Sequence, residues 1–301
     1  MILPAPSPPW LQELRRSPAA AGAAFVLALL VGGALFAPWL VRTNPYDLAA
    51  LDLLDSHLPP AFLAGGDARY LLGTDSQGAD LLSLILYGLR ASLMVGLFAV
   101  ALSVALGTAA GLVSGYLEGL VDSVLMRLAD IQFTFPALLL ALLIGGISQK
   151  LLTDAARAAM AMPILVLALG IAHWPHFARL VRGAVLVEGQ KDYVAAARLL
   201  GRGPFYIMTA QLLPNVMNPI IVLATLDVAF AIMSEATLSF LGFGMPSSRP
   251  SLGTLIRIGY GYFLSGEWWV VLFPGLALVL TLVSVNLLGD WLRDWLDPKL
   301  R

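Results

Sequence analysis

The sequence predicts an all-α integral membrane protein with six transmembrane helices, both termini on the cytoplasmic side, and a short helix outside the bilayer. Three observations predict it. Of 301 residues, 59% are hydrophobic and 12% charged, against about 25% charged in a soluble domain, and the mean hydropathy is +0.83. Six stretches reach the length of about 20 apolar residues that a helix needs to cross the hydrocarbon core. Lysine and arginine are unevenly shared between alternate connections, which sets orientation. The composition excludes a disordered chain, and the absence of cysteine excludes a disulfide-built secreted module. With a net charge of −1 there is no basic field, so no nucleic-acid partner is expected; the lipid bilayer is the partner of every span.

Residues 1–18 form a cytoplasmic amino-terminal segment in which Arg15 and Arg16 pin the inner end of the first span. No Phe-Leu-Lys follows that pair, as an export signal would prefer. Residues 19–41 are the first span. Its 23 uncharged residues exceed the roughly 7 to 15 of a cleaved signal core, and no small-x-small site closes it. Residues 42–90 form an extracytoplasmic loop rich in Pro, Gly and Asp. Residues 91–289 hold five more spans, at 91–117, 131–149, 158–178, 213–238 and 268–289. The stretch 203–249 is too long for one span, so it reads as a short approach, the span 213–238, and an exit loop at Gly242, Gly244 and Pro246. Residues 290–301 are a cytoplasmic tail, with Trp291, Leu292, Trp295 and Leu296 on one face of an interfacial turn.

Orientation follows from counting basic residues. With the amino terminus inside, the inner segments hold Arg15, Arg16, Arg127, Arg179, Arg182, Lys191, Arg198, Arg202, Arg293, Lys299 and Arg301, and the outer ones Arg42, Arg69, Arg90, Lys150, Arg157, Arg249 and Arg257. That is 11 against 7, with the inner connections the shorter. The loop 42–90 carries six aspartates against three arginines, which suits the outer side.

Little in the chain resembles covalent chemistry. None of the lysines, Lys150, Lys191 and Lys299, follows a glycine, which excludes a Gly-x-x-x-x-Gly-Lys phosphate loop; any ATP must bind another chain. His173 and His176, in His-Trp-Pro-His, are spaced by three with no acid between them, so they read as an interfacial aromatic and histidine cluster at the inner end of span four rather than as metal ligands. No Gly-x-Ser-x-Gly nucleophile elbow occurs. No catalytic, cofactor-binding or metal-binding residue is assigned. Gly107, Gly111 and Gly115 recur at spacing four and make a helix-packing seam. Asp227 and Glu235, eight apart, share one side of a span. Asp227 is expected to face a polar interior or gate a cavity, and Glu235 to lie near the outer surface, capping backbone or pairing with an arginine such as Arg257. A proton or cation relay through the two is the rival reading.

The inner connection is the most informative segment, placed at 183–212. Asp192 reads as an N-cap, Tyr193, Val194, Ala195, Ala196, Ala197 and Arg198 as a short helix, and Gly201 as its left-handed C-cap residue. A small-residue face flanked by arginines lets another protein come close and pair its acids there.

Read on to Gln211-Leu212-Leu213-Pro214-Asn215, this connection resembles the Glu-Ala-Ala loop of ABC importer inner-membrane permeases. Ala196, Ala197, Gly201, Leu213 and Pro214 match the pattern, and Ala195 stands where the family has glutamate. Three further stretches resemble the C-type subunit of the dipeptide, oligopeptide and nickel branch: Leu72 to Asp80, with Ala79 in place of an arginine; Ser234 to Gly244; and Asn286 to Asp294 with Asp297-Pro298. The resemblance covers the chain from Ala19 onward. It implies the type I ABC importer permease fold in a multi-pass protein of the bacterial inner membrane. It also implies a heterodimer with a homologous second permease, two cytoplasmic ATPases that bind the ATP and Mg, and an extracytoplasmic solute-binding protein. Residues Tyr193 to Gly201 would dock into the ATPases as a coupling helix. The cargo implied is di- or oligopeptide, with nickel, glutathione or another small solute as alternatives within the family. A proton- or cation-driven secondary transporter is the alternative outside it.

Overall fold

The computed structural model describes residues 13–14, 17–41, 44–47 and 51–296. Arg15, Arg16, Arg42, Asp297, Pro298, Lys299 and Arg301 lie outside them. Among the described residues there is no strand, only an isolated bridge between Thr74 and Asp80. The helices used below are α1 (Pro18–Leu35), α2 (Leu81–Leu117), α3 (Gly119–Thr134), α4 (Ala137–Leu151), α5 (Asp154–Glu188), α6 (Asp192–Leu199), α7 (Met217–Phe240), α8 (Leu252–Tyr260) and α9 (Trp269–Leu296). Helix α1, α2, α5, α7 and α9 are each long and apolar enough to cross a membrane, and α3 with α4, bent by 85° at their break, makes a sixth candidate. Long helices are the expected form here, because hydrocarbon offers a backbone N–H no partner outside its own segment.

The chain divides into two compact units, one holding the residues up to Leu93 and from Pro246 on, the other Met94–Met245. In the first unit α1 and α8 both pack on α9. Leu81, Leu84, Ile85 and Leu89 of α2, Leu252 and Leu255 of α8, and Trp269 and Val270 of α9 form its buried core. Helix α1 starts on Ser17, whose Oγ accepts from Ala20 N, and stops at Phe36, short of the expected Val41. Pro38 lacks the N–H that would continue the ladder, and only a short turn, Ala37–Leu40, follows.

The outer loop ends at Asp80, ten residues before the expected boundary at Arg90. Asp80 Oδ2 accepts from Ser83 N at 2.9 Å and so caps α2, and Arg90 is simply an exposed residue within that helix. Before it, Thr74 Oγ1 donates to Asp55 O at 2.6 Å and accepts from Leu58 N at 2.9 Å, while Asp75 Oδ1 accepts from Gln77 N and Ala79 N, both at 2.9 Å. The Leu72–Asp80 motif is thus a hydrogen-bonded knot. Trp269 Nε1 donates to Thr74 O at 3.4 Å and ties it to α9.

In the second unit α5 is the common neighbour: α3, α4 and α7 all pack on it. The single span expected at 131–149 is instead two helices. Pro136 disfavours helical backbone at the residue before it, and Phe135 is extended (φ −93°, ψ 125°). The span expected at 158–178 runs on to Glu188, so the connection expected at 183–212 starts only at Gly189. Helix α9, in the first unit, runs unbroken past residue 290 to Leu296, with the Trp291 and Trp295 rings stacked at 6.4 Å. The described part of the expected tail, 290–296, is therefore helical and continuous with the last span.

Candidate functional site: the loop helix and the polar seam of α5

Helix α6 is built from local signals. Lys191, not Asp192, is the N-cap residue: its backbone is extended (φ −78°, ψ 151°) and Asp192 is the first helical residue. Asp192 still contributes, since a carboxylate in a first turn is favoured by the helix dipole. At the other end Gly201 adopts φ +75°. Gly201 N donates to Arg198 O at 3.0 Å and Arg202 N to Ala197 O at 3.1 Å, the paired bonds of a Schellman cap. A side chain other than glycine at 201 would be strained in that conformation.

Val194 (0% exposed) and Ala197 (6%) are the buried side chains of α6, and the helix packs on the π-helical turn Ile207–Leu212. Ala195, Ala196, Arg198, Leu199 and Leu200 face outward, with Leu199 89% exposed. Phe205 extends this apolar surface. Arg198 lies over the Tyr116 ring at 5.2 Å, and Arg202 over Tyr206 at 4.8 Å.

Polar contacts hold α6 to the segments on both sides. Glu188 ends α5 and pairs with Lys191 Nζ at 2.7 Å. Tyr193 donates its hydroxyl to Glu188 Oε1 at 2.9 Å and accepts from Asn215 Nδ2 at 3.3 Å. Burial, followed by the hydrogen bond to Glu188, pushes the Tyr193 phenol up to about 12. Glu188 carries no motif of its own in the sequence, and Asn215 closes the Gln211–Asn215 stretch of the resemblance without a role assigned to it; neither is marked by sequence as a partner of Tyr193.

Behind the loop helix, α5 carries a polar seam. Arg182 grips Asp122 of α3 with a two-pronged contact at 2.5 and 2.6 Å, and Ser114 of α2 also donates to Asp122. Arg179 pairs with Asp130 and lies 4.0 Å from the Phe133 ring centroid. Pro175 has no N–H for Ile171 O, and Gln132 Nε2 of α3 donates to that carbonyl instead, while Gln132 Oε1 accepts from Trp174 Nε1 at 2.8 Å.

The histidine reading needs correction. His173 sits within α5, buried, with Nδ1 2.8 Å from Asp227 Oδ1 of α7. It is not part of a surface cluster; His176, exposed and packed edge-on against Phe133, is nearer to that description. Asp227 faces inward, and its Oδ2 has no hydrogen-bond partner among the described residues. Glu235 is fully buried (0% exposed), and it accepts from Ser239 Oγ at 2.6 Å, one turn on. His173 and Asp227 are the histidine and the acid that two otherwise apolar spans place nearest their centres, and that coincidence was the available signal for the pair.

Gly107, Gly111 and Gly115 lie against α5. A Cβ on Gly107 would come within 2.4 Å of Phe177 Cβ, on Gly111 within 2.6 Å of Ala178 O, and on Gly115 within 2.9 Å of Val185 Cβ.

The described residues thus combine apolar candidate spans with a short helix set between two of them. Residues 103–301 match the family described as the binding-protein-dependent transport system inner membrane component, and residues 9–60 match the N-terminal TM domain of oligopeptide transport permease C. The chain belongs to that family of inner membrane transport components. It is 40% identical over 301 residues to the di/tripeptide transport system permease protein DppC of Pseudomonas aeruginosa (strain UCBPP-PA14), covering 100% of this chain and 95% of that one. It is 44% identical over 292 residues to the dipeptide transport system permease protein DppC of Escherichia coli (strain K12), covering 97% and 92%. Among solved structures, an inward-facing form of the MetNI methionine ABC transporter matches with a TM-score of 0.56 at 18% identity, covering 71% of this chain and 96% of that one. That likeness is one of fold.

Proposed function

We propose that this chain is the C-type permease subunit of an ATP-driven importer for di- and oligopeptides, with both termini cytoplasmic. It pairs with a homologous permease, receives cargo from an extracytoplasmic binding protein, and is driven by two cytoplasmic ATPases that hold the ATP and Mg. The full-length identity of about 40% with permeases named for di- and tripeptide transport carries this reading. Helix α6 supports it from the chain's own chemistry. Eight residues long, capped at both ends and exposing Ala195, Ala196, Leu199 and Leu200, it presents an apolar ridge to a second protein. Since residue 195 is alanine, the ridge offers no carboxylate there, and Arg198 and Arg202 are its charges. Docking by shape and apolar contact, with the arginines at the rim, is the mode this surface fits. The chain itself makes and breaks no covalent bond; its work is to turn movement of α6 into movement of α5 and α7.

The test is co-purification of the tagged chain from its native membrane in mild detergent, with mass spectrometry of what accompanies it. A homologous permease and one or two ATPases are expected. Gly201→Pro, which cannot adopt φ +75°, and Arg198→Glu are expected to stop uptake while the spans remain inserted. A chain repeatedly recovered alone would overturn the reading and return attention to a proton- or cation-driven carrier working through Asp227 and Glu235.

A further inference from the structure

The inference concerns how α6 is held, and it rests on reading that helix as the segment that meets the ATPases. A helix of eight residues that buries one valine and one alanine has little packing to fix its direction. Direction must come from directed bonds. The Tyr193 hydroxyl makes two of them at once: it donates to Glu188 Oε1 on the last residue of α5, and it accepts from Asn215 Nδ2, two residues before α7 begins. Both partners are themselves held. Glu188 is pinned by Lys191 at 2.7 Å, and Asn215 Nδ2 also donates to Gln211 O at 2.7 Å.

We propose that Tyr193 is the positioning residue through which movement of α6 reaches two spans together, α5 through Glu188 and α7 through Asn215. Apart from that hydroxyl, α6 is tied to α5 by the short turn at Gly189–Lys191 and the exposed Lys191–Glu188 pair, and it rests on the Ile207–Leu212 turn and the Tyr116 ring, none of which bonds an α6 side chain to Asn215. With the hydroxyl in place the helix cannot rotate without breaking one bond or the other. The two spans it addresses meet again at His173 and Asp227, so they are moved as a pair. Ala195 has no side-chain group for this task, and Tyr193 supplies it from the turn before.

Tyr193→Phe tests this, because it keeps the ring and its burial and removes only the hydroxyl. The whole importer, with its second permease, ATPases and binding protein, is reconstituted in proteoliposomes, and ATP hydrolysed per peptide accumulated is measured. Tyr193→Phe is expected to raise that ratio several-fold while the ATPases co-purify in wild-type amounts. Glu188→Ala and Asn215→Ala are expected to raise it as well, and Glu188→Gln, which still accepts from the hydroxyl, to restore it. A wild-type ratio in Tyr193→Phe overturns the inference. So does a loss of assembled complex at unchanged ratio, which is what a merely structural tyrosine would produce. A wild-type chain that assembles with no ATPase overturns the parent reading, and this one with it.

Discussion

Asp227 on α7 accepts from His173 on α5 at 2.8 Å, and each residue is 7% exposed. Ionisable groups inside membrane spans are costly and persist where they meet each other or a polar interior. Interhelical hydrogen bonds in membrane proteins average about 0.6 kcal/mol. We expect Asp227→Ala and His173→Ala each to cost about 1–3 kcal/mol, the cost of leaving a buried polar group without its partner, and the double variant to fall short of their sum. Denaturation in detergent, arranged as a double-mutant cycle, measures the difference. An interaction energy near zero would show that the contact holds nothing.

Gln132 stands in for a backbone donor that Pro175 lacks. Gln132→Leu leaves Ile171 O and Trp174 Nε1 without that partner, at a cost of about 0.5–1.5 kcal/mol per hydrogen bond lost. Pro175→Ala restores an N–H to the ladder, so Pro175→Ala is expected to recover part of the loss in a Gln132→Leu background. If thermal melting shows the two changes to be simply additive, the substitution of side chain for backbone is not what Gln132 does.

Gly111 lies in a close part of the α2–α5 contact that a methyl group can test. An alanine there would place its Cβ 2.6 Å from Ala178 O and 2.7 Å from Val181 Cβ, both on α5 and neither free to swing aside. Overpacking of this kind costs about 1–3 kcal/mol. Gly111→Ala is expected to lower the melting temperature, and Gly22→Ala, with nothing within 4 Å of the added atom, to leave it unchanged. Equal melting of the two variants would contradict the close approach.

Asp80 caps α2 through Ser83 N. Asp80→Ala is expected to cost about 0.5–2 kcal/mol, and Asp80→Ser or Asp80→Asn much less. Proteolysis of the loop before Leu81, followed in intact vesicles or detergent, reads the fraying directly. A loop no more sensitive in Asp80→Ala than in the parent chain would remove the capping role.

The sequence placed most of the spans because hydrocarbon imposes a length and a composition that any observer can count. It also marked α6 and its Gly201 cap, where the signals are local and act within a few residues. It mistook three boundaries. Arg90 reads as the end of a loop because it is charged, yet one exposed arginine sits comfortably on a helix whose cap lies ten residues earlier. Arg179 reads as the end of a span because it is charged, yet the helix runs on to Glu188, and Gln132, more than forty residues from Pro175 in the chain, supplies the donor that Pro175 lacks. Phe135–Pro136 reads as the interior of an apolar run, yet there no such partner mends the ladder, and the span breaks.

By itself, then, the sequence determined that this chain lives in a bilayer as helices, where the apolar runs lie, and which short segment stands outside them. These follow from hydropathy and from bonds made between near neighbours. Only the tertiary structure decided which polar residues within the runs meet: His173 with Asp227, Arg182 with Asp122, Tyr193 with both Glu188 and Asn215. Such pairs join residues from 5 to 60 positions apart. Periodicity tells which face of a helix a residue occupies, but the depth and rotation at which two helices pack, which set who meets whom, are fixed by close contacts such as Gly111 against Ala178.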